Sequence, residues 1–545
     1  GVQLDTDPSK IYRGWFGYKG VRSPNIVVFS PVNEPTALAA GSAETMVEHA
    51  TISSERPEAS VFGSPAQQQE FGFKDWYMCP KSLVLRLEDG PCPLTNDPKR
   101  FRVKVNQETT DDKKQNTVGD QGCPNCQSKD GVFFIGSQSA TLSSVAIDEL
   151  FGSVLNNDPK LLAFTDSVQD ASHRAGFFSS RTYQFTFRTA LQHIIDDAGS
   201  SGVRLTESGK SLLEWWSQSR PGWPGHIREA MASLLPPDLR EYPDFVKFRD
   251  NASADQPPQR LLEDIERRLI WEVTSEFGLM QTHGRTIEPA GSSCIAWDED
   301  RIDSTVNRLR ERLPGIDTSL TDLSDEAIKL WLYGFLHRAR IRGAVAHPYL
   351  DSFASNGFWG KYPFGRTLRG RETFPGRGRF MPHLMVTQSQ KQHDHVLAPS
   401  KGGRQPWQLV WARRALRKPN ADEASLLDLI AALLMAGTDA GLFTRLHQDG
   451  SKNYYAVSAH AAILTSDRVN LVCSESGKPI IRPAAEAEYW KGAPSWEYYS
   501  QKGRYAEAPY SPRQEYYQDR YRKGALRRVV ASEHTGLLAT EDRER

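Results

Sequence analysis

Hydroxyl, amide and guanidinium groups come together directly after one short apolar run of the chain. The run 161–164 (LLAF) is typical of a buried parallel strand, and the helical pattern that follows it contains Gln169 and Arg174. Thr165, Ser167 and Gln169 would then lie where a strand ends and a helix begins, a position that suits phosphate oxygens. The residues alone leave a second interpretation open, which is a capped strand-to-helix turn without a ligand.

The same design recurs near residue 530. The run 528–531 (RVVA) predicts a strand, and His534, Thr535 and Gly536 follow it in a polar loop before a capped helix start. A hydroxyl and a glycine amide at a strand end can hold one phosphate, because glycine lets the backbone approach closely. An ordinary strand-to-helix loop is the alternative.

These two pieces resemble consecutive motifs of the second motor domain of superfamily 2 DEAD/DEAH-box helicases. The phrase FTDSVQDASHRAGFF (164–178) is similar to the fourth motif, and EHTGLLATEDRER (533–545) is similar to the next one. The resemblance is closest to very large bacterial helicases, including those of Druantia-type antiphage defence systems. In that subset a cysteine-containing insert precedes the fourth motif, and a helical and winged-helix insert separates the two motifs. The resemblance spans roughly 71–545 and is loose between the two pieces.

The resemblance implies an α/β fold, a partial RecA-like helicase domain 2, with a cysteine-containing insert and a mostly α-helical, winged-helix-type insert. It implies an ATP-dependent DNA helicase or translocase that uses ATP and Mg²⁺, acts in bacterial antiphage defence with other defence proteins, and contacts single-stranded DNA. Thr165, Ser167, Gln169, Arg174 and the loop 534–536 would face the strand. The phosphate loop, acidic Mg²⁺ box and arginine-finger motif are absent from these 545 residues, so we expect no catalytic residue and no ATP hydrolysis by the chain alone.

Cys123-Pro-Asn-Cys126 has the spacing of half a zinc knuckle, since two thiolates so placed can chelate one ion. The helicases that the chain resembles have a second such pair earlier, where this chain has only Cys79, and Cys92 could supply the fourth thiolate. A structural zinc site needs all four ligands. The alternatives are therefore zinc on Cys79, Cys92, Cys123 and Cys126, or a degenerate site without metal.

The segment 358–418 is basic, with thirteen lysines or arginines against two acidic residues, and aromatic side chains alternate with them. Charge pairing with the backbone and stacking on bases are how single-strand channels bind, so Arg366, Arg369 and Arg371 are candidate nucleic-acid contacts. The alternative is a solvated loop whose aromatic residues pack into a neighbouring core.

Periodicity and turn residues predict several domains. Helices are expected over 261–280, 299–313 and 325–340, and a possible strand over 341–345. A helix at 426–435 and two strands around Asp449-Gly450 give the winged-helix pattern. The predicted organisation is an irregular or β region at 1–70, the cysteine-containing insert at 71–130, the start of the RecA-like domain at 131–198, a helical insert at 199–420, a winged-helix-like module at 421–484, a Tyr- and Trp-rich connector at 485–523, and the RecA-like domain again at 524–545.

Three other patterns predict structure rather than chemistry. Residues 208–211 (SGKS) are expected to start a helix, because no buried strand leads into them. Residues 325–328 (DEAI) likewise begin a helix rather than end a strand. His393-Asp394-His395 could bind a metal, but its Gln- and Lys-rich surroundings favour a solvated loop.

Net charge, the longest apolar run and the number of cysteines limit the kind of protein this can be. The formal net charge is zero, no apolar run approaches the ~20 residues that span a bilayer, and six cysteines fit a reducing cytoplasm. The chain starts at Gly1 and stops inside a predicted helix, which predicts an internal piece of a longer protein. The alternative function is a non-enzymatic nucleic-acid-binding or scaffold subunit of a defence complex. No paired carboxylates or Ser/His/Asp arrangement favours a hydrolase.

Overall fold

The computed structural model divides the chain into two compact units, which are described separately below. The first comprises 1–141 with 474–478 and 499–503, and the second comprises the remainder. The structure describes residues 29–31, 72–79, 85–86, 90–92, 96, 98, 101–107, 110–111, 116–117, 168–219, 225–240, 242–281, 286–357, 359, 381–390, 392–402, 405–498 and 502–524, with the backbone alone over 168–182.

Within the first unit, the described residues form antiparallel strands. β2 and β4 pair along their whole lengths, from Gly72 opposite Gln107 to Met78 opposite Phe101. Strands β1 and β3 lie at the two edges, in the order β1-β4-β2-β3, and β5 pairs with β6. The strands are β1 (Phe29–Pro31), β2 (Gly72–Met78), β3 (Leu85–Arg86), β4 (Phe101–Gln107), β5 (Thr110–Asp111) and β6 (Asn116–Thr117).

Helices dominate the described part of the second unit. They surround one large apolar core, and a smaller aromatic cluster lies beside it. The helices are α1 (Val168–Ala198), α2 (Ser208–Ser217), α3 (Ile227–Leu234), α4 (Pro243–Asp250), α5 (Gln259–Glu276), α6 (Glu299–Arg312), α7 (Asp325–Ile341), α8 (Pro348–Asn356), α9 (Trp407–Ala415), α10 (Glu423–Asp439), α11 (Ala487–Trp490) and α12 (Pro512–Lys523).

The predicted helices form where their apolar spacing and caps place them. In α5 the expected stripe is buried at Leu261, Ile265, Leu269 and Val273, although the helix ends at Glu276 rather than at residue 280. α6 and α7 begin behind side-chain caps from Asp298 and Ser324, and α2 begins at Ser208, which confirms three expected helix starts.

α7 is the central helix of the unit and is buried on nearly all sides. Its Gly334 lies against the indole of Trp411 from α9, so close that a Cβ atom at this position would be 2.3 Å from the ring. The Trp411 indole nitrogen donates to the carbonyl of Trp331, 2.9 Å away. Glycine is therefore required here by the close approach of two helices.

Three small sheets complete the described part of the second unit, and their orders are β10-β9-β12-β11, β7-β13-β8 and β15-β14-β16. Pairing is antiparallel except between β9 and β10. The fold is thus a mixture of helices and small sheets, and the strands predicted at 161–164 and 528–531 lie outside the described residues. The strands are β7 (Val203–Arg204), β8 (Cys294–Trp297), β9 (Met385–Val386), β10 (Asp394–His395), β11 (Phe443–Asp449), β12 (Lys452–Val457), β13 (Ala462–Thr465), β14 (Arg468–Cys473), β15 (Pro479–Pro483) and β16 (Tyr505–Glu507).

The helix and hairpin predicted for the winged-helix pattern both form. α10 is followed by the antiparallel pair β11–β12, which turns at Gly450 with φ near 59°. The strand expected over 341–345 is wrong, because Ile341 is the last residue of α7. Only Val345 makes a β-bridge, to Val457.

Candidate functional site

Most residues with predicted chemistry lie outside the described part of the chain. Gln169 and Arg174 belong to α1, where the structure describes the backbone alone, so the predicted helix after residue 167 is present. The other predicted nucleic-acid contacts lie outside the described residues, and they are Thr165, Ser167, Arg366, Arg369, Arg371, His534, Thr535 and Gly536.

Two of the four predicted zinc ligands are described. Cys79 directly follows β2 and Cys92 lies further along the first unit, and both are buried. Cys123 and Cys126 lie outside the described residues. Within the described residues no cluster of three or more His, Cys, Asp or Glu side chains is arranged to hold a metal ion, so zinc remains a prediction.

Two described basic residues of the segment 358–418, Arg414 and Lys418, make contacts within the fold. Arg414 donates to the carbonyls of Ser495 and Glu497, at 3.0 and 2.7 Å, and to that of Tyr498. Lys418 pairs with Asp322 at 2.7 Å. Three aromatic residues of the segment, Trp359, Trp407 and Trp411, are buried, as the alternative interpretation of this segment expected.

The helix before the hairpin has the wrong chemistry for reading DNA. In winged-helix proteins that read the major groove, the corresponding helix presents Arg, Lys, Asn or Gln to base edges. α10 (EASLLDLIAALLMAGTD) contains none of these four residue types. Its exposed positions are Ala424, Asp428, Met435 and Asp439, and its other faces are largely buried. α10 therefore acts as a core helix.

The geometry instead draws attention to the contact between α1 and α12, which are the first and last described helices of the second unit. The rings of Phe185 and Tyr521 are 6.3 Å apart, and the guanidinium of Arg520 lies 5.4 Å from the Phe185 ring. Gly524 follows α12 and lies against Thr189, because a Cβ on Gly524 would be 3.2 Å from the Thr189 hydroxyl. The end of α12 therefore packs against the second half of α1.

A buried ion pair lies beneath this contact. Arg188 donates from Nε and Nη2 to the two carboxylate oxygens of Glu276, at 2.7 and 3.1 Å, and Glu276 also accepts from the backbone N–H of Ile287. Burial opposes the charge of Arg188, but Glu276 and Tyr521 outweigh it and raise the pKa of Arg188. Burial also raises the pKa of Tyr521 to about 12, so its hydroxyl stays neutral.

Residues 286–293, the central segment, join α12 to the core through main-chain groups. The carbonyl of Pro289 accepts from Gln514 and that of Ala290 accepts from Gln518, at 3.3 and 3.2 Å. The carbonyl of Gly291 accepts from Arg468. Three successive carbonyl groups are thus satisfied by side chains from α12 and β14, as buried polar groups require.

The side chain of the central segment with the most contacts is Glu288, which is 1% exposed. Its two oxygens accept from Nη1 and Nη2 of Arg340, at 2.6 and 2.8 Å, and Gln281 donates to it at 3.0 Å. Arg482 from β15 approaches the same carboxylate only to 3.8 Å. One carboxylate therefore faces two buried guanidinium groups.

His337 lies between the Arg340–Glu288 pair and a second carboxyl group, that of Glu486. Arg340 donates to its Nδ1 at 3.2 Å, so the proton of the neutral ring is on Nε2, which donates to Glu486 at 2.9 Å. Burial, with Arg482 and Arg340, lowers the pKa of His337 well below its usual range. Burial raises the pKa of Glu486 to about 8, against the opposing effect of Arg482. Trp490 also donates to Glu486 at 2.9 Å.

The segment around His393-Asp394-His395 is not solvated, and that expectation is wrong. Arg342 donates to both oxygens of Asp394, at 2.8 and 2.7 Å, and His393 is buried between the rings of Phe353 and Tyr454. The reason is that the segment joins the sheet through the pairing of β10 with β9. Its polar side chains are therefore used within the fold.

The ionic groups of the core were missed at the sequence level because their partners are far apart in the chain. Arg188 and Glu276 are 88 positions apart, and His337 and Glu486 are 149 apart. Arg482 alone carried a local signal, since it interrupts the apolar run 479–483 (PIIRP). An arginine inside such a strand is rarely fully buried unless its charge is paired.

No protein-family model, no curated protein and no solved structure matches the chain. Among the described helices, none is both long and apolar enough to cross a membrane.

Proposed function

We propose that this chain is part of an ATP-dependent superfamily 2 DNA helicase or translocase, in which residues 168–473, 479–498 and 504–524 form a body inserted into one motor domain. The contact between α1 and α12 carries the proposal. An insert must receive the chain and return it to the same sheet, and here the two bounding helices pack together.

The length of the chain after α12 limits such an arrangement. Thr189 lies about 30 Å along the α1 axis from Val168, at 1.5 Å per residue. Residues 525–531 can span at most about 25 Å. A fully extended strand that leaves Gly524 beside Thr189 can therefore run back towards the start of α1, and it would end about 5 Å short of Val168.

The aromatic cluster supports the second part of the proposal, which is single-strand binding by the basic segment. Trp359 packs against Trp271 and Phe353, with ring centroids 5.2 and 5.5 Å apart, and Met381 and Leu384 contact the same cluster. Both flanks of residues 360–380 are thus fixed at one place. Arg366, Arg369 and Arg371 would project nucleic-acid contacts from this base.

The motor assignment is tested by the distance between the two predicted strand ends. Spin labels at positions 165 and 531 should give a narrow distribution below about 20 Å, since neighbouring strands are about 4.8 Å apart. A label pair at 165 and 428, on the exposed face of α10, serves as the control for labelling. A broad or long distribution for 165 and 531 would remove the motor assignment.

Single-strand binding is tested by reversing charges. The triple variant R366E/R369E/R371E should weaken binding of single-stranded DNA and flatten its dependence on salt. The matched control is K210E/K247E/R260E, which changes net charge equally at exposed positions elsewhere. Equal loss in both variants would indicate a general charge effect and not a binding segment.

A scaffold subunit without enzymatic activity is the second candidate, and the composition of α10 favours it, because that helix lacks groups for base reading. ATP hydrolysis stimulated by single-stranded DNA, measured on the natural polypeptide that contains this chain, separates the two. Strand-stimulated hydrolysis supports the motor, and its absence supports the scaffold.

A further inference from the structure

Arg482 differs from the other buried arginines of this chain in what its guanidinium edge contacts. The edge formed by Nε and Nη2 is one of the two guanidinium edges that can bind two oxygens side by side. Arg188 uses this edge to hold Glu276, and Arg342 uses it to hold Asp394. In Arg482, which is 1% exposed, neither Nε nor Nη2 has a hydrogen-bond partner among the described residues.

The rest of the Arg482 side chain is held firmly. Its guanidinium carbon lies 4.7 Å from the ring centroid of Trp490 and 4.8 Å from that of Trp496. Nη1 donates to the carbonyl of Ile481 at 2.9 Å. These contacts fix the plane of the guanidinium, and Nη1 lies 3.8 Å from the carboxylate of Glu288.

Trp496 lies over this position and is itself anchored. Its carbonyl accepts from the indole of Trp407 at 2.7 Å, and Arg414 holds the carbonyls on either side of it. Trp490 is fully buried, whereas Trp496 is partly exposed. The guanidinium therefore lies between one buried indole ring and one that is partly exposed.

Charge also favours a bound anion. Two guanidinium groups, Arg340 and Arg482, face one firmly paired carboxylate, Glu288. Glu486 holds its proton up to a pKa of about 8 because it is buried, so it adds little negative charge at neutral pH. Burial lowers the pKa of Arg482, whereas the pKa of Arg188 is raised by its carboxylate partner.

We propose that the Nε–Nη2 edge of Arg482 binds a small oxyanion, either a tetrahedral one such as phosphate or sulfate or a carboxylate. Unsatisfied buried donors cost free energy that two acceptor oxygens would recover. A lysine cannot replace this edge, because an ammonium group is a point charge without the fork.

Thermal unfolding with matched ionic strength tests the proposal. Sodium phosphate, sulfate or acetate, compared with sodium chloride, should raise the Tm of the wild-type chain by about 2–4 °C in a saturable manner. The rise should vanish in R482K and in R482M. It should persist in R342K, because the edge of Arg342 is already filled by Asp394.

The salts that raise the Tm identify the class of anion that binds. A response to phosphate and sulfate indicates a tetrahedral anion, and a response to acetate alone indicates a carboxylate. The absence of a saturable rise in the wild-type chain, or an undiminished rise in R482K, would overturn the proposal. If the Arg482 variants do not fold, a crystal of the wild type grown with selenate decides, since selenium should lie within about 4 Å of Nη2. Anomalous signal only elsewhere would refute the site.

Discussion

Arginine is buried in two different ways in neighbouring parts of this chain. Around the central segment, Arg188 and Arg340 are each enclosed with a carboxylate that accepts two hydrogen bonds. Around Trp490, Arg482 is enclosed with indole rings, and its nearest carboxylate, that of Glu288, lies 3.8 Å from Nη1 without accepting a hydrogen bond. The first environment stabilises a charge by pairing, and the second by the ring quadrupole and by shape. Loss of a partner should therefore be severe in the first region and mild in the second.

The largest effect is expected for Glu288→Gln. This change removes the carboxylate that neutralises Arg340 and lies nearest to Arg482, and leaving buried charge uncompensated costs about 3–5 kcal/mol. The free energy of unfolding, measured with urea, should fall by that amount. Glu488→Gln is the control, because Glu488 pairs with Lys491 at the surface and should change little. Equal losses of stability in Glu288→Gln and Glu488→Gln would mean that the buried ion pair contributes no more than the surface one.

Around the buried tryptophans, stability should depend on how closely the side chains pack and not on charge. Gly334→Ala places a methyl group where the Trp411 indole lies, 2.3 Å from the ring, so the two helices must separate. Overpacking of this kind costs about 1–3 kcal/mol. Near-ultraviolet circular dichroism should change along with the stability. Gly315→Ala is the control, since nothing lies within 4 Å of its new Cβ, and a similar loss there would contradict the explanation.

The proton on Glu486 predicts a dependence on pH that the arginine pairs lack. Burial raises its pKa from 4.5 to about 8, so the folded chain keeps a proton that the unfolded chain has released. This contribution to stability is complete below pH 4.5 and is lost as the pH rises to 8. The buried His337, whose pKa is lowered, acts in the opposite direction only below its usual value of 6.5.

Between pH 6.5 and 8, the wild-type chain should therefore lose roughly 1–2 kcal/mol of stability through Glu486. Glu486→Gln, which cannot titrate, should have a flatter profile over that interval. Urea unfolding at several pH values measures both. Parallel profiles for the two proteins would show that the carboxyl group does not hold its proton in the fold.

The smallest effect is expected for Arg482→Met. Replacing a buried charge by an apolar side chain of similar length is often neutral, and methionine packs well on indoles, so stability should change by less than about 1 kcal/mol in chloride buffer. Arg340→Met is the matched comparison and should be far more harmful, because Glu288 then loses its bidentate partner. A loss of stability in R482M as large as that in R340M would contradict the idea that the two arginines are stabilised in different ways.

The sequence predicted local structure well and long-range pairing poorly, for a physical reason. Helix α5 and the hairpin at Gly450 follow from apolar spacing and from turn residues, which act over a few positions. Glu288 lies in the run TIEPAGSS (286–293), and no spacing in the sequence predicts its contact with Arg340, 52 positions later. Folding creates that pair, so only coordinates reveal it.

The predicted site is recovered unevenly for the same reason. The helix that follows Ser167 is present, whereas Thr165, Ser167 and the loop 534–536 lie outside the described residues and stay predictions. The histidines of 393–395 were expected in solvent because their neighbours in sequence are polar. Their neighbours in space, Phe353 and Tyr454, are aromatic.

The attachment of α12 has a consequence for sequence change over time. The side chains of Gln514 and Gln518 donate hydrogen bonds to the main-chain carbonyl oxygens of residues 289 and 290, and not to their side chains. Peptide oxygens survive any replacement of the residue that carries them. Substitutions at positions 289 and 290 should thus leave the hydrogen bonds from α12 intact. Gly291 is constrained separately, since its φ is near 71° and a Cβ would collide with Tyr510.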